Sequence, residues 1–327
     1  MFKIIKIDFY DQFKCITSDC PDNCCDNEWN ITIDEKTYEL YKTAFGADID
    51  AVISPMVPHV IIKHNGNCPF ITEEGLCILH KNLGEQFLSN TCRYYPRFAS
   101  TYGDTYLETL GMSCPAVARM VVDYDKYILF EEKVHYEVKS ELGEKFRRLP
   151  IEKAARDYIS LFVTGKGKKS IYEDIYQKVS QGKGMPDIDL HGVIEYLNKI
   201  FMDNSASKYL TVLFGEKYDE YIKDNRKLFE TELILESEYP WFASNFNRIF
   251  FFEHFMLESL KEDPLYTCVV LEGAIAWMLF LVAISAVKQQ AGVISEDDVI
   301  NCTYKLMRVI DHDENVLRSI VTASYIG

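Results

Sequence analysis

The cysteines of this chain are concentrated near its N-terminus. Eight of the ten precede residue 115, whereas Cys268 and Cys302 stand alone in segments that read as helices. A chain of 327 residues buries enough apolar surface to fold without disulfides or metals. A cysteine framework of this kind therefore indicates a metal centre or thiol chemistry rather than a means of stabilising a small core.

The compartment decides how these thiols are interpreted. The first fifteen residues carry charged side chains among the apolar ones, so no segment of signal-peptide type is apparent there. We expect a cytoplasmic protein, in which thiols more often bind metal than form disulfides. The predicted fold class is α+β, predominantly α. It comprises a small Cys-rich metal-binding module with short strands over residues 1–120 and a helical domain over 121–327.

Charge and hydropathy exclude two classes of partner. The 50 acidic residues exceed the 35 basic ones, and the net charge is −15. Such a charge disfavours binding to the phosphate backbone of a nucleic acid, so no nucleic-acid partner is expected. The apolar stretch Val269–Val287 contains Glu272, and the uninterrupted part that follows it is short for a membrane span. We predict a buried core helix there and no membrane association. The sequence carries no signal of oligomeric state.

Turn-forming residues are placed to bring several thiols together. Cys20-Pro-Asp-Asn-Cys24-Cys25 reads as a tight turn. The segment from Cys68 to Cys77 reads as a hairpin with Gly75 where a positive φ is needed. Ser89 is placed to cap a short helix that carries Cys92. The cysteines predicted to converge on one metal centre are Cys20, Cys24, Cys25, Cys68, Cys77 and Cys92, with Cys15 and Cys114 as second-tier ligands or buried thiols.

The spacing leaves the metal open. Structural zinc sites usually show paired Cys-x2-Cys knuckles, which this chain lacks, although four thiolates from distant segments can still form one. An iron–sulfur cluster also needs about four thiolates, with more variable spacing. The Cys-x3-Cys-x2-Cys motif of radical enzymes fails because Asn27 stands where its third thiol belongs. His80 follows Cys77 closely but is interpreted as an ordinary polar side chain.

Apolar periodicity predicts helices through the rest of the chain. One amphipathic helix is predicted over 123–149, with Phe130 and Val134 among its apolar positions, and Ser295 is expected to cap a helix near the C-terminus. The aromatic run Phe250–Phe252, with His254 beside it, is interpreted as core. Further helices are predicted at Ile151–Val163, Ile188–Phe201, Tyr218–Leu235, Phe242–Lys261 and Leu265–Val287.

The cysteine-rich region resembles the flagellin lysine-N-methylase family, which is related to proteins described as zinc- or iron-chelating. About 105 residues carry ordered, closely spaced matches. These are Cys15 with Cys20-x3-Cys24-Cys25, Trp29-x-Ile-x-Ile-Asp34, Asn65-Gly66-x-Cys68-Pro-Phe, Gly75-Leu-Cys77, Leu83-Gly84-Glu85, Cys92-Arg-Tyr-Tyr-Pro-Arg97 and Ser113-Cys114-Pro115.

The resemblance implies an S-adenosylmethionine-dependent methyltransferase that modifies lysine ε-amines of flagellin or another lysine-bearing protein. It also implies an iron–sulfur cluster, a 4Fe-4S centre, on the cysteines, with zinc as the alternative metal. No Gly-x-Gly-x-x-Gly turn follows a predicted strand, so S-adenosylmethionine would be held without a Rossmann turn.

Methyl transfer to lysine requires deprotonation and in-line placement of the amine. Near the cysteines, the candidate catalytic residues are Tyr94, Tyr95 and Glu108, together with Tyr102 and Tyr106. Arg93 and Arg97 are candidates for binding the carboxylate of S-adenosylmethionine. Acidic residues such as Glu73 and Glu74 are expected to rim the site and attract a protonated lysine.

Two other functions fit the same residues. The cysteine module can be a purely structural zinc- or iron-binding unit, with the helical domain recognising a partner. Alternatively, the vicinal Cys24-Cys25 pair can hold metal exchangeably for storage or delivery. Colour separates these possibilities, because an iron–sulfur protein purified without air is brown and a zinc protein is colourless.

Overall fold

The structure is a computed structural model that describes residues 2–25, 29–64, 67–102, 105–126, 128, 130–135, 190–200, 206–214, 225–258 and 265–311. These residues are mostly helical with two small sheets, which confirms the predicted α+β, predominantly α class. The helix predicted at Ile151–Val163 lies outside the described residues. The strands are β1 (Phe2–Ile7), β2 (Thr32–Ile33), β3 (His59–Val60), β4 (Arg97–Tyr102), β5 (Thr105–Leu110) and β6 (Phe130–His135).

The larger sheet has the order β4-β5-β1-β6. Strand β1 pairs in parallel with β5 and antiparallel with β6, while β4 and β5 form an antiparallel pair. Along β1 the burial alternates, with Ile5 and Ile7 inside, as expected for a strand that covers a core with one face. Ile5 lies opposite the buried Leu107 of β5, so this face of the sheet is shared by both strands.

Strand β6 corrects the helix predicted over 123–149. Phe130 and Val134 belong to a strand whose residues pair with β1, Phe130 opposite Ile7 and Val134 opposite Lys3. The apolar spacing of this segment fits a helix locally, but β1 would otherwise present an open row of backbone donors and acceptors. Pairing across the sheet therefore outweighs local periodicity. Residues 136–149 of the predicted helix lie outside the described part of the chain.

Ten α-helices fall within the described residues: α1 (Glu35–Phe45), α2 (Ile78–Leu83), α3 (Asn90–Tyr94), α4 (Pro115–Val122), α5 (Leu190–Ile200), α6 (Ala206–Phe214), α7 (Asn225–Glu238), α8 (Phe242–Glu258), α9 (Leu265–Ala291) and α10 (Glu296–Asp311). Helices α5, α7, α8 and α9 confirm four predicted helices with shifts at their ends. The expected Ser295 cap is also confirmed, because its Oγ accepts the N–H of Asp298 at 3.2 Å while the Asp298 carboxylate accepts the N–H of Ser295 at 2.9 Å.

Helix α9 runs through the core. Among the described residues, Glu272–Ala291 is the segment that is long and apolar enough to cross a membrane by length and composition, and 67% of that window is buried inside the protein. Helices α7, α8 and α10 pack against α9. Burial by protein neighbours is the behaviour predicted for a core helix.

Buried side chains form two clusters. The larger joins the sheet to α4 and the C-terminal helices, so it includes residues on both sides of the predicted domain boundary at residue 120. The smaller lies between Ile31 and Leu79 and includes Cys68, with Cys25, Cys77 and Cys92 packed against it. The division at residue 120 stays a prediction.

A buried arginine ties the first cysteine loop to α10. The side chain of Arg308 is 1% exposed, and its Nη1 lies 2.7 Å from Oδ1 of Asp22. Arg308 also donates to the carbonyl of Ser113 at 3.0 Å, to the hydroxyl of Tyr209 at 2.7 Å and to the carbonyl of Asp22. Three separate parts of the chain therefore depend on one guanidinium group.

We expect Arg308→Met to lower the free energy of unfolding by about 3–5 kcal/mol, because it removes one partner of a buried ion pair. Arg119→Met is the matched control. Arg119 is half-exposed beside Glu296 and Asp297, and losing such pairs costs about 0–1 kcal/mol. Urea unfolding measures both variants, and equal losses would contradict the anchoring role of Arg308.

Candidate functional site

Local hydrogen bonds shape the first cysteine loop. The side-chain oxygen of Asn23 accepts the N–H of Cys25 at 2.8 Å, and the indole N–H of Trp29 donates to the carbonyl of Cys24 at 2.9 Å. The N–H of Cys68 donates to the carbonyl of Cys25 at 3.2 Å. The first and second cysteine segments are thus joined through their backbones.

The second segment folds back as predicted. Gly75 has a φ of 76°, the N–H of Thr72 donates to the carbonyl of Leu76 at 2.9 Å, and Ile71 bridges to Cys77. A left-handed residue at this point reverses the chain, which glycine allows without strain. The turn brings Cys77 back alongside the residues that follow Cys68.

The third segment places Cys92 in the first turn of α3. Ser89 caps this helix by accepting the N–H of Cys92 at 3.2 Å, which confirms the predicted cap. The carboxylate of Asp34, which caps α1 through Thr37, also accepts the N–H of Asn90 at 3.0 Å. One aspartate therefore fixes α3 relative to α1.

These three segments open into one cavity of about 1000 Å³. Six of the eight predicted ligands line it: Cys15, Cys24, Cys25, Cys68, Cys77 and Cys92. Cys20 and Cys114 do not line it. Burial, together with the charges of Cys20 and Cys24, raises the pKa of the Cys114 thiol. Which cysteines are ligands stays a prediction.

The thiols influence one another's ionisation. The Cys25 thiol donates to the Cys24 sulfur, which lowers the pKa of Cys24 to about 7 and raises the pKa of Cys25. Burial, aided by the neighbouring thiolates, raises the pKa of Cys92 to about 12. Several thiolates cannot form here together unless a cation offsets their charge. The donor set therefore suits a metal centre.

Zinc and iron–sulfur centres require different spacings of their cysteine ligands. Among the described residues, no three side chains of His, Cys, Asp or Glu are grouped as a ready site for a single metal ion. A zinc ion requires its sulfur ligands about 2.3 Å from one centre. A cluster of several irons and sulfides spreads its thiolates more widely, and the choice between iron–sulfur and zinc stays a prediction.

The predicted catalytic and cofactor-binding residues lie in different places. Tyr95 lines the cavity, donates to Ser113 Oγ at 3.3 Å and meets the Trp29 ring edge-on, and burial raises its pKa well above the usual value. Tyr94 is 53% exposed and does not line the cavity. Glu108 lies within β5, away from the cavity lining.

Both predicted arginines are held by backbone carbonyls. Arg93 donates to the carbonyls of Glu85 and Leu88, at 2.9 and 3.1 Å. Arg97 donates to the carbonyl of Phe13 at 3.2 Å, and its guanidinium lies over the rings of Tyr10 and Phe13. Neither lines the cavity, and their role in binding S-adenosylmethionine stays a prediction.

A group of buried ionisable residues completes the cavity and was not predicted. Glu253 and His254 of α8 and Asp311 at the end of α10 line it. His254 Nδ1 lies 3.9 Å from Oε2 of Glu272, and its Nε2 lies 3.7 Å from Oδ1 of Asp311. The His254 ring stacks on Phe250, with 4.0 Å between centroids.

The sequence did contain a signal for this group. Phe250 and Phe252 are core residues, as predicted, but His254 reaches the cavity from the same helix. Glu272 interrupts the apolar stretch Val269–Val287 and is only 3% exposed in the structure. A carboxylate inside an apolar helix is costly to bury, so it indicates a polar partner elsewhere in the fold.

Three curated proteins are similar to the chain. Flagellar biosynthetic protein FliU of Salmonella muenchen is 30% identical over 153 residues, which are 43% of this chain and 89% of FliU. The chain belongs to the family that FliU shares with the lysine-N-methylases. Two lysine-N-methylases, from Salmonella typhimurium and Salmonella choleraesuis, are each 29% identical over 168 residues, or 47% of this chain.

The match to the lysine-N-methylases is partial, because it spans 39% of their length. No family model matches the chain, and no solved structure matches it. Membership of the family confirms the resemblance found in the cysteine region. Lysine methylation is the activity that the names of these relatives support.

We expect Glu253→Gln to raise the melting temperature increasingly as the pH rises. Burial and then the charge of Asp311 raise the pKa of Glu253 well above its usual value, whereas the unfolded chain releases this proton near pH 4.3. The stabilisation is therefore complete below the unfolded pKa and is lost as the pH rises through the folded pKa. A variant with a neutral amide avoids that loss.

Melting curves between pH 5 and pH 8 measure the effect, with a gain of roughly 2–4 °C for each kcal/mol relieved. Glu230→Gln, at an exposed position of α7, is the control and should show no pH-dependent difference from the parent. A Glu253→Gln variant that melts lower than the parent across this range would contradict the assignment of Glu253 as a strained buried acid.

Proposed function

We propose that this chain transfers methyl groups from S-adenosylmethionine to lysine ε-amines of a protein, with flagellin as the substrate, and that its cavity cysteines hold an iron–sulfur cluster. The observation that carries the proposal is one cavity lined by six cysteines from three separate segments. Similarity to lysine-N-methylases supplies the reaction class, and the name of FliU supplies the link to the flagellum.

The size of the cavity supports a small-molecule substrate. Its volume of about 1000 Å³ is at the upper end of the usual range of roughly 300–1,000 Å³ for ligand sites. Apolar side chains such as Ile31, Phe70 and Phe98 make up much of its wall. A cavity of this kind has room for both a nucleoside-sized methyl donor and a lysine side chain.

The cluster is assigned to the thiols that line the cavity. Cys24, Cys25, Cys68, Cys77 and Cys92 are coupled through the mutual effects of their charges. A bound cluster would offset the thiolate charges and cross-link the three cysteine segments. Other side chains of the cavity would then hold the lysine, exclude water and accept the proton that the lysine releases.

Incubation of the anaerobically purified protein with labelled S-adenosylmethionine and flagellin tests substrate and reaction together. We expect label in flagellin that acid hydrolysis recovers as N-methyl-lysine. Absence of label from a brown protein with a full complement of iron and sulfide would overturn the methyltransferase assignment and favour the non-catalytic metal-binding alternative.

We expect Cys68→Ala and Cys77→Ala to lose most of the iron, sulfide and absorbance near 400 nm that the parent carries, because each removes a thiolate from the cavity wall. Cys302→Ala is the matched control. Cys302 is 4% exposed in α10 and is not among the cavity-lining residues. Iron analysis after anaerobic purification measures the effect, and equal iron contents in all three variants would refute the ligand assignment.

We expect Glu73→Lys with Glu74→Lys to slow methylation severalfold at low salt, because these exposed acids lie next to Gly75 and Leu76 of the cavity lining. At 1 M salt, where screening limits the field to about 3 Å, the defect should shrink. Glu230→Lys with Glu238→Lys changes the net charge equally on α7 and serves as the control. An unchanged low-salt rate would exclude electrostatic steering by the two acids.

A further inference from the structure

The carboxyl groups of Glu253 and Asp311 reach one cavity from two different helices. Glu253 is 1% exposed, and the side chain of Asp311 is 12% exposed. Glu253 Oε2 and Asp311 Oδ2 are buried and have no hydrogen-bond partner within the described part of the chain. Each such acceptor normally costs free energy when it is buried, so the cavity contains acceptors suited to a ligand that donates.

The charges of the group favour a cation as that ligand. Glu253 and Asp311 contribute two carboxyl groups to the cavity lining, and the imidazole of His254 lies 3.7 Å from the carboxylate of Asp311. Burial raises the pKa of Glu253 most, and the negative charge of Asp311 raises it further. A positive charge beside both carboxyl groups would relieve this repulsion.

The spacing favours an organic cation over a metal ion. The two His254 distances, 3.9 and 3.7 Å, exceed hydrogen-bond length, and the described His, Cys, Asp and Glu side chains include no ready group for a single ion. An ammonium group is larger than a metal ion and brings three N–H donors of its own. Those donors match Glu253 Oε2 and Asp311 Oδ2, which have no hydrogen-bond partner among the described residues.

Gly111 keeps the space beside Glu253 open. A Cβ at this position would lie 3.2 Å from Glu253 Oε1 and 2.4 Å from a ring carbon of Phe98. The residue follows β5 directly, and its N–H donates to the carbonyl of Pro96 at 2.8 Å. A side chain here would displace Phe98, which itself lines the cavity.

We infer that Glu253 and Asp311 bind the ε-ammonium group of the lysine that is methylated and that the ionised carboxylate of this pair accepts its proton. This inference rests on the proposed function, because it assigns the lysine-binding end of the same cavity. It replaces none of the predicted cysteine ligands and places proton acceptance on α8 and α10 instead of on the predicted Tyr94, Tyr95 and Glu108.

The proton and electron balance of the step is simple. The ammonium gives one proton to the ionised carboxylate of the pair, which leaves a neutral amine. The amine lone pair then forms a bond to the methyl carbon while the bond from that carbon to the sulfonium sulfur breaks, and the sulfur keeps the electron pair. The product is a methylated ammonium that carries the two remaining amine protons, and the carboxyl group returns its proton to water.

The test separates binding from catalysis. Calorimetry with the full chain measures binding of a flagellin-derived lysine peptide and of the same peptide with norleucine, which keeps the alkyl chain without the amine. The parent should prefer the lysine peptide, and Glu253→Gln and Asp311→Asn should each weaken its binding about tenfold or more. Glu230→Gln, an exposed acid of α7, should bind as the parent does, and binding of S-adenosylmethionine should be unchanged in every variant.

Kinetics supply the second readout. Glu253→Gln should raise KM for the lysine peptide and lower kcat, while leaving KM for S-adenosylmethionine unchanged. Equal lysine binding by parent and variants, or no preference of the parent for lysine over norleucine, would overturn the inference even if methylation is found. Preference for lysine that depends on Glu253 would uphold amine binding even if no methyl transfer occurs, so failure of the proposed function is distinguishable. If Asp311→Asn does not fold, Glu253→Gln decides the test by itself.

Discussion

The ion pair between Arg308 and Asp22 fixes the position of the cysteine loop relative to the helices. A guanidinium that is 1% exposed is tolerated only when its donors are satisfied, and here the acceptors come from the cysteine loop, the Ser113 carbonyl and Tyr209. Asp311 lies one turn further along α10, on the same rigid element. The anchor therefore sets the distance between the first cysteine loop and a carboxylate of the cavity.

Local chemistry predicted the elements that depend on neighbours in sequence. The positive φ of Gly75 depends only on the turn in which it lies. The caps formed by Ser89 and Ser295 depend only on N–H groups in the first turn of the helix that each one precedes. The predominantly helical class followed from apolar periodicity in the same way. Strand β6 could not be predicted like this, because its conformation depends on β1, which lies more than 120 positions earlier in the chain.

The candidate site likewise has one part that the sequence predicted and another that it did not. Cysteines are rare enough that their crowding before residue 115 identified one wall of the cavity. Glutamates are common, so Glu253 was not distinguishable from a surface acid until the fold showed it buried. Closeness in sequence to the cysteines does not determine which side chains face the cavity, and it is not lined by Tyr94, Glu108, Arg93 or Arg97.

The position of β1 inside its sheet has a consequence for the order of folding. Strand β1 lies between β5 and β6 and is synthesised before both, so it has neither neighbour until residues 105–135 have been synthesised. Such distant pairings form slowly. The smaller core around Cys68 draws on residues 25–92, a local unit that emerges earlier. The cysteine segments between residues 25 and 92 can therefore assemble while the larger sheet is still incomplete.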